Sequence, residues 1–353
     1  MTPSDWREEL AQRIKTPDAL KKEIGTFSEK SERMLDVRFP LLITPYYAGL
    51  LKNLALRKTV VPRPEELDLS ENELSDPLGE ERHRVTPHLI HTYPDKVLFL
   101  ITSHCAVHCR YCTRSRWVGK KKIHPFSDFE ESFHYIEKHS EIRDVLLSGG
   151  DPLTLSNEVL EKVLSRIRSI SHVRTLRVGS KVPAVLPSRI TPELCTLLRH
   201  NQVWLSLHFI HPAELTSECR AACRMLSDHG IPMVSQTVLL NGINNETEIL
   251  EELFYGLLES GVKPYYLLQC DPIQGSAHFR TPVEEGIRLI RALHGRISGL
   301  AIPQFVVDAP GGGGKVPLLS LKQIWRDGDF ICFKNREGKE FSYPDPAFSG
   351  SEA

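Results

Sequence analysis

The sequence predicts an α/β fold: a partial (β/α)6-type barrel with an N-terminal helical extension and a short C-terminal segment. Short apolar runs rich in branched and aromatic residues recur from residue 97 onward, as in buried parallel strands. Helix-like segments separate these runs, and such alternation indicates βαβ units. Polar and glycine residues follow the runs, which is typical of a barrel whose site lies at the carboxyl ends of its strands.

The composition argues against several functional classes. The 353 residues carry 44 basic and 45 acidic side chains, and the net charge of −1 disfavours a strongly basic nucleic-acid binder. No apolar run approaches the ~18 residues that span a membrane. The charged N-terminus lacks the apolar core of a signal peptide. We therefore expect a cytoplasmic protein with no nucleic-acid or membrane partner.

The first region, residues 1–90, is predicted to be helical and to end in an acidic linker. Asp5 and Glu8 have the spacing of a capping box at a helix start. A polar stretch over residues 62–84 contains eight acids. We interpret this stretch as a solvated surface segment, because runs of charge usually lie in solvent.

The second region, residues 91–310, is predicted to form the barrel. Its seven candidate strands are residues 97–102, 144–148, 174–178, 203–209, 232–240, 265–270 and 302–307. Helix-like segments between them include residues 156–170, 211–230 and 282–295. A doubly wound sheet shows the same alternation, so periodicity alone does not separate the two folds. Residues 311–353 form the C-terminal segment.

Three of the eight cysteines, Cys105, Cys109 and Cys112, follow the first candidate strand with C-x3-C-x2-C spacing. In a reducing compartment such clustering indicates a metal site. Three thiolates can hold three irons of a [4Fe-4S] cluster and leave the fourth iron open to another ligand. A zinc site is the alternative, with His104 or His108 as the fourth ligand.

The cysteine segment resembles the radical S-adenosylmethionine superfamily, because an aromatic residue, Tyr111, directly precedes the last cysteine. The stretch Ser148-Gly149-Gly150-Asp151 resembles the glycine motif of that superfamily, with an ordinary strand-to-helix turn as the alternative. The resemblance implies a partial barrel of the radical S-adenosylmethionine kind. It also implies that S-adenosylmethionine chelates the open iron and that the glycine motif contacts its methionyl amino group.

A second motif, DAPGGGGK, places four consecutive glycines between Asp308 and Lys315. It is not a phosphate-binding P-loop, because the G-x4-G-K-[ST] spacing fails and Val316 follows the lysine. Taken alone, the run predicts a flexible hinge. We expect it to act as a mobile tether for Lys315.

Together, these motifs resemble the lysine 2,3-aminomutase family. The similarity extends over roughly residues 85–320 and includes residues 93–102, 109–116, 146–153, 185–191, 208–212, 269–271, 278–283 and 306–318. The resemblance implies an isomerase that interconverts L-lysine and β-lysine by a radical 1,2-amino shift. The implied cofactors are a [4Fe-4S] cluster, S-adenosylmethionine and pyridoxal 5′-phosphate, the last bound covalently by Lys315.

The same resemblance assigns the remaining site residues. Arg114 matches the arginine that binds the substrate carboxylate. Asp271 and Asp308 match the aspartates that bind the distal ammonium, which implies a cationic substrate. Two further pairs are implied: Tyr93 and Lys96 near the pyridoxal phosphate group, and His208 and Gln236 near the nucleoside of S-adenosylmethionine.

Other functions stay open. A compact related group acts in the β-lysylation pathway of elongation factor P, and another cationic amino acid could be the substrate. A non-catalytic zinc- or pyridoxal-binding scaffold is the alternative from a different class. The resemblance also implies an electron donor such as flavodoxin or ferredoxin, and a homo-oligomer. Because only Cys332 lies beyond residue 315, we expect no C-terminal structural zinc site.

Overall fold

The computed structural model describes residues 5–25, 39–119, 125–319, 324–334 and 338–346. Its centre is a ten-stranded sheet in which strands that follow one another along the chain lie side by side. The strands are β1 Arg84–Thr86, β2 Leu89–Tyr93, β3 Lys96–Thr102, β4 Asp144–Gly149, β5 Thr175–Ser180, β6 Val203–His208, β7 Met233–Leu239, β8 Lys263–Gln269, β9 Gln304–Ala309 and β10 Gly314–Pro317.

The seven strands β3 to β9 pair in parallel, and they coincide with the seven candidate strands of the sequence. Their order never reverses, whereas a doubly wound sheet contains a point of reversal. The doubly wound alternative is therefore wrong. Among the described strands, β1 does not pair with β10, so the sheet stays open. The predicted partial barrel is confirmed.

Among the described residues, four short helices precede the sheet: α1 Trp6–Ala11, α2 Pro17–Ile24, α3 Pro45–Gly49 and α4 Leu54–Val60. The side chain of Asp5 caps α1, as the sequence predicts, by accepting a hydrogen bond from Arg7 N at 3.0 Å. Thr44 and Asn53 cap α3 and α4 in the same way. Each cap pairs a backbone N–H that the helix itself leaves without a partner.

Helices cover the outside of the parallel strands in six successive crossovers. They are α5 Glu130–Lys138, α6 Asn157–Arg168, α7 Val182–Val185, α8 Pro192–His200, α9 Ser217–Asp228, α10 Thr247–Glu259 and α11 Val283–Leu293. In α6 the buried side chains are Leu160, Val163, Leu164 and Ile167. These positions recur at the helical period, so one apolar stripe is buried while the opposite face remains polar.

The acidic stretch over residues 62–84 is only in part the solvated segment that the sequence predicts, because Asp68, Glu71 and Glu81 are exposed but other acids are buried. Glu66 is 1% exposed and Glu73 is 6% exposed. Two nitrogens of the Arg110 guanidinium donate to the carboxylate of Glu66 at 2.6 and 2.9 Å. The carboxylate of Glu73 accepts hydrogen bonds from two backbone N–H groups at residues 275–276. Buried charge needs such partners, so the parts of the stretch around Glu66 and Glu73 are packed against the rest of the protein.

Beyond β10, three antiparallel strands form a separate sheet: β11 Ile324–Asp327, β12 Phe330–Lys334 and β13 Glu340–Pro344. The buried hydroxyl of Tyr343 donates to Cys270 O at 2.6 Å and joins this sheet to the end of β8. Within the described ranges, no helix is both long and apolar enough to cross a bilayer. The division of the chain at residues 90 and 310 remains a prediction.

Candidate active site

A cavity of about 420 Å³ opens along the inner face of the sheet. Alternate strand residues line it, because side chains two positions apart share one face of a strand. All the residues predicted for the site line this cavity: Tyr93, Lys96, Cys105, Cys109, Tyr111, Cys112, Arg114, Ser148, Gly149, Gly150, Asp151, His208, Gln236, Asp271, Asp308 and Lys315. The cavity also reaches deeper than the strand ends, to Lys96 at the start of β3.

Residues of the N-terminal region hold the loop that carries the three cysteines. His108 N, within the loop, donates a hydrogen bond to Leu42 O at 2.9 Å. The guanidinium of Arg13 donates to Cys105 O at 2.5 Å. These partners lie far from the loop in sequence, so the motif alone does not reveal them. Their bonds fix the backbone of the loop immediately after β3.

The three cysteines of this loop are unpaired thiols. Burial, followed by the neighbouring Cys112, raises the pKa of Cys105 well above its ordinary value. Burial also raises the pKa of Cys109, and that of Cys112 to about 11. No three His, Cys, Asp or Glu side chains in the described part of the chain form a group that could hold one metal ion. The cysteines of a cubane cluster each bind a different iron, so they do not converge on one point.

The glycine motif is fastened to its neighbours on both sides. Gly150 N donates to Thr102 O at 2.6 Å, which ties the motif to the end of β3. The carboxylate of Asp151 accepts hydrogen bonds from the Ser180 hydroxyl at 2.8 Å and from Lys181 N at 2.7 Å. Asp151 therefore links β4 to the end of β5, and its oxygens are engaged with the protein itself.

The glycine run forms a packed turn between β9 and β10, and its action as a mobile tether for Lys315 stays a prediction. The two strands pair antiparallel, so Lys315 lies opposite Asp308. Three of the four glycines have φ angles between +73° and +90°, a range that residues with a side chain rarely adopt. Gly311 N donates to Pro77 O at 2.8 Å, and this bond fastens the turn to the acidic stretch.

Lys315 is held at both its backbone and its amine. Its backbone N–H donates to the hydroxyl of Tyr93 at 2.8 Å. Its Nζ donates to the two carboxylate oxygens of Asp308 at 2.7 and 2.9 Å. Burial disfavours charge on this amine, but Asp308, together with Tyr93 and Asp271, outweighs burial and raises the pKa of Lys315. Burial and the charge of Asp308 together raise the pKa of Asp271 well above its usual range.

Arg114 is positioned by Glu80, a residue that the sequence analysis does not identify. The guanidinium donates to Glu80 Oε1 through Nε at 2.8 Å, and to the Ser148 hydroxyl through Nη1 at 3.2 Å. Arg116 donates to the other oxygen of Glu80 at 2.9 Å. Burial disfavours the charged forms of both Glu80 and Arg114, but the attraction between the two charges is stronger. The pKa of Glu80 is therefore lowered and the pKa of Arg114 is raised.

A cationic region lies at the inner end of the cavity. The ammonium of Lys96 lies 3.8 Å from the centre of the Tyr93 ring and forms no ion pair with any described residue. Burial, then the charge of Arg177, lowers the pKa of Lys96. Arg177, which the sequence analysis also misses, is paired with Asp144 at 2.8 and 2.9 Å. A cavity cation without a carboxylate partner fits a cofactor phosphate.

His208 on β6 and Gln236 on β7 form another part of the cavity wall. The two residues lie directly opposite each other in the paired strands. Burial, then the charge of Lys181, lowers the pKa of His208 to about 4, so its ring is neutral near pH 7. Gln236 Nε2 donates to the hydroxyl of Ser206 at 2.7 Å. Lys181, at the end of β5, is a further cavity residue, and its ammonium pairs with Glu214 at 2.6 Å.

Known proteins are similar to this sequence over nearly its whole length. Residues 99–253 match the family model of the radical SAM superfamily, and residues 290–352 match the model of lysine-2,3-aminomutase. The chain is 42% identical to L-lysine 2,3-aminomutase of Fusobacterium nucleatum, and the alignment covers 97% of this chain and 83% of that protein. It is 44% identical to L-lysine 2,3-aminomutase of Methanococcus maripaludis, with 98% and 83% covered.

Glutamate 2,3-aminomutase of Clostridioides difficile is 37% identical, and the alignment covers 98% of this chain and 84% of that protein. Identity of this extent over both chains is much greater than a shared superfamily motif would give. The cysteine loop, the glycine motif and the turn that carries Lys315 all lie within the aligned region. The chain therefore belongs to the lysine 2,3-aminomutase family of the radical S-adenosylmethionine superfamily.

Proposed function

We propose that this protein interconverts L-lysine and β-lysine by moving the amino group between C2 and C3. The supporting observation is the distribution of charge in the cavity, where Arg114 supplies a cation and Asp271 and Asp308 supply two carboxyl groups. Lysine carries a carboxylate at one end and an ammonium at the other, so it complements this arrangement. Glutamate carries a second carboxylate, which the aspartates would repel.

The site residues have distinct proposed roles. Cys105, Cys109 and Cys112 would hold a [4Fe-4S] cluster as thiolates, Lys315 would hold pyridoxal phosphate through its amine, and Lys96 would face the phosphate. When bound, the cluster with S-adenosylmethionine supplies a carbon radical that removes a hydrogen atom, and pyridoxal phosphate supplies the carrier for the migrating nitrogen. The chain itself would orient these groups and keep water from the reacting carbons.

The compartment and the source of electrons follow from the same chemistry. All eight cysteines are free thiols, which supports a reducing compartment such as the cytoplasm. We expect an external one-electron carrier such as flavodoxin or ferredoxin, because the proposed cluster must be reduced before it can act. We also expect a homo-oligomer, which light scattering of the purified protein would test directly.

Mass spectrometry of anaerobic reactions tests the proposed activity. Reconstituted protein, S-adenosylmethionine, pyridoxal phosphate and dithionite are incubated separately with lysine, ornithine, arginine, glutamate or alanine. We expect β-lysine from lysine and no product from glutamate or alanine. The variant Lys315→Ala, which keeps all three cysteines of the loop, should form no β-lysine.

Three results would contradict the proposal in different ways. Rearrangement of glutamate or alanine without rearrangement of lysine would refute the argument from the two aspartates. Formation of 5′-deoxyadenosine with no rearranged amino acid would retain the radical chemistry but refute lysine as the substrate. Selective turnover of ornithine or arginine would retain a cationic substrate of a different length.

A further inference from the structure

The side chain of Arg189 is completely buried, with 0% of its surface exposed. It lies in the short turn Pro187–Arg189, within the loop that follows β5. Burial lowers the pKa of its guanidinium to about 10, so the group is still charged near pH 7. Its hydrogen bonds to described residues go to two backbone carbonyls and one side-chain amide, and none goes to an acid. Burying a charge without an acidic partner costs stability, which indicates that Arg189 does more than fill the interior.

The guanidinium binds the loop that follows the glycine motif. Its Nε donates to Leu153 O at 2.8 Å, and its Nη2 donates to Leu155 O at 3.0 Å and to Asn157 Oδ1 at 2.8 Å. A planar guanidinium fixes both the position and the direction of the groups that it binds. Arg189 therefore holds the backbone between Asp151 and the start of α6 from the neighbouring loop.

Helix α1 covers this contact. The centre of the Trp6 ring lies 4.3 Å from Cζ of Arg189, and Trp6 itself is 8% exposed. A cation over an aromatic face is attracted to it, which offsets part of the cost of burying the charge. The ring also keeps water from the bonds to the two carbonyls, and hydrogen bonds are stronger in such dry surroundings.

A second set of bonds joins the same two loops in the opposite direction. The carboxylate of Asp151, in the loop after β4, accepts from Ser180 and Lys181 at the end of β5. Arg189, in the loop after β5, donates to the loop after β4. We call these two sets of bonds the loop clamp and define it by Asp151 and Arg189. The loop clamp holds the glycine motif at its last residue and at two carbonyls shortly beyond it.

The glycine motif also lies directly against the cysteine loop. Asp151 N donates to His104 O at 2.7 Å, and His104 directly precedes Cys105. A Cβ on Gly150 would lie 2.1 Å from the same carbonyl oxygen, so no side chain fits between the motif and the cysteine loop. Any shift of the motif would therefore change its distance from the cysteines.

We propose that Arg189 is a positioning residue for S-adenosylmethionine, because the loop clamp sets the distance between the glycine motif and the cysteine loop. This inference rests on the proposed roles of the two motifs, since one molecule must reach the open iron of the cluster and the glycine motif at once. Arg189 does not line the cavity. It would act through the loop that it holds and not by contact with the cofactor.

Titration with S-adenosylmethionine tests this role without any measurement of turnover. The reconstituted, reduced protein is titrated anaerobically, and the electron paramagnetic resonance of the cluster reports binding at the open iron. We expect Arg189→Met, which retains an unbranched side chain but loses the bonds to both carbonyls, to raise the Kd for S-adenosylmethionine roughly tenfold or more. Iron content and the absorbance of bound pyridoxal phosphate should match the wild type, because the cysteines and Lys315 keep their own contacts.

Arg168→Met is the matched control. Arg168, the last residue of α6, also donates to two backbone carbonyls, Asn201 O and Gln202 O, both at 2.6 Å. These carbonyls directly precede β6, at the end of the strands away from the glycine motif. The control should keep the Kd within about twofold of the wild type. An unchanged Kd in Arg189→Met would overturn the proposal, as would an equal rise in both variants.

The conservative variant Arg189→Lys keeps the buried charge but lacks the planar fork. We expect a Kd between those of the wild type and Arg189→Met, roughly threefold above the wild type. If Arg189→Met does not fold, this variant decides the question, with Arg168→Lys as its control. A wild-type Kd in Arg189→Lys would then assign Arg189 to folding alone and overturn the proposal.

The same titration keeps this inference apart from the proposed function. If the wild-type cluster responds to S-adenosylmethionine and Arg189→Met binds it equally well, the positioning role is refuted and the proposed activity stands. If binding depends on Arg189 but the wild-type protein forms no β-lysine, the activity is refuted and the positioning role stands. If the wild-type cluster does not respond to S-adenosylmethionine, both fail.

Discussion

Glu80 controls the direction in which Arg114 presents its guanidinium. It accepts from Arg114 with one oxygen and from Arg116 with the other, and it is 4% exposed. We expect Glu80→Gln to raise the KM for lysine about tenfold with little change in kcat, because a neutral amide orients the arginine less firmly. The control is Glu81→Gln, a more exposed acid beside the same network. An unchanged KM in Glu80→Gln would show that Arg114 is positioned without it.

Asp271 should select for the charge at the far end of the substrate. We expect Asp271→Asn to raise the KM for lysine at least tenfold, since one carboxyl group of the pair is lost. Norleucine, which lacks the distal ammonium, is the comparison ligand in a competition assay against lysine. Its inhibition constant should change by less than twofold. Equal losses for lysine and norleucine would assign Asp271 a structural role.

His208 should make the stability of the cofactor-free protein depend on pH. Burial, followed by the charge of Lys181, lowers its pKa to about 4, whereas an unfolded histidine titrates near 6.5. The unfolded chain therefore takes up the proton first as the pH falls. The stability contributed by His208 is fully present above pH 6.5 and is lost as the pH falls toward 4.

Denaturant unfolding at pH 7 and pH 5 measures this effect. The free energy of unfolding should fall by roughly 1–2 kcal/mol more in the wild-type protein than in His208→Gln, whose side chain does not titrate. A decrease of the same size in both proteins would mean that other groups cause the acid sensitivity.

At the scale of an element, the turn before Lys315 depends on its fit against Gly79. A Cβ on Gly79 would lie 2.6 Å from the backbone carbon of Gly311, and Gly79 has a φ angle of +62°. We expect Gly79→Ala to destabilise the protein by roughly 2 kcal/mol or more and to reduce loading of pyridoxal phosphate. Denaturant unfolding and the absorbance of the bound cofactor report the two effects.

Gly295→Ala is the matched control for this element. Gly295 also has a positive φ angle, +80°, but a Cβ there would have no neighbour within 4 Å. The control variant therefore experiences only the backbone strain, about 1 kcal/mol, and should load the cofactor normally. Equal destabilisation and equal cofactor loading in the two variants would show that the contact between Gly79 and the turn affects neither stability nor cofactor binding.

The strands of the barrel are much easier to predict from the sequence than the side chains that contact the site residues. All seven parallel strands can be predicted because each is a short apolar run, and such a run is visible in the local sequence without knowledge of the strands beside it. The cysteine, glycine and lysine motifs are equally local. Glu80 is not predictable in this way, since its partner Arg114 lies 34 positions along the chain. An acidic stretch has the composition of a solvated segment whether or not its acids meet buried arginines.

At the scale of the whole molecule, one buried ion pair joins the acidic stretch to the cysteine loop. Glu66 and Arg110 are both 1% exposed at their side chains, and their closest atoms are 2.6 Å apart. Removing one member would leave a buried charge unpaired, which typically costs about 3–5 kcal/mol. We expect Glu66→Ala to lower the free energy of unfolding by that amount and to lower iron content after reconstitution.

The neighbouring acid provides the comparison. Glu65 is 40% exposed at its side chain and pairs with Arg63 at the surface. Glu65→Ala should cost less than about 1 kcal/mol, because exposed ion pairs contribute little. Normal iron content and stability in Glu66→Ala would mean that the N-terminal contacts hold the cysteine loop without this pair.

The contact between Lys315 and Asp308 has a consequence for the order in which ligands bind. Without pyridoxal phosphate, the amine of the protein's own lysine occupies the carboxylate proposed for the substrate's ammonium. If Lys315 binds the cofactor as proposed, its amine leaves that carboxylate and Asp271 without this cation, and an incoming lysine can supply one. Cofactor and substrate are then thermodynamically linked, so each should bind more tightly when the other is present.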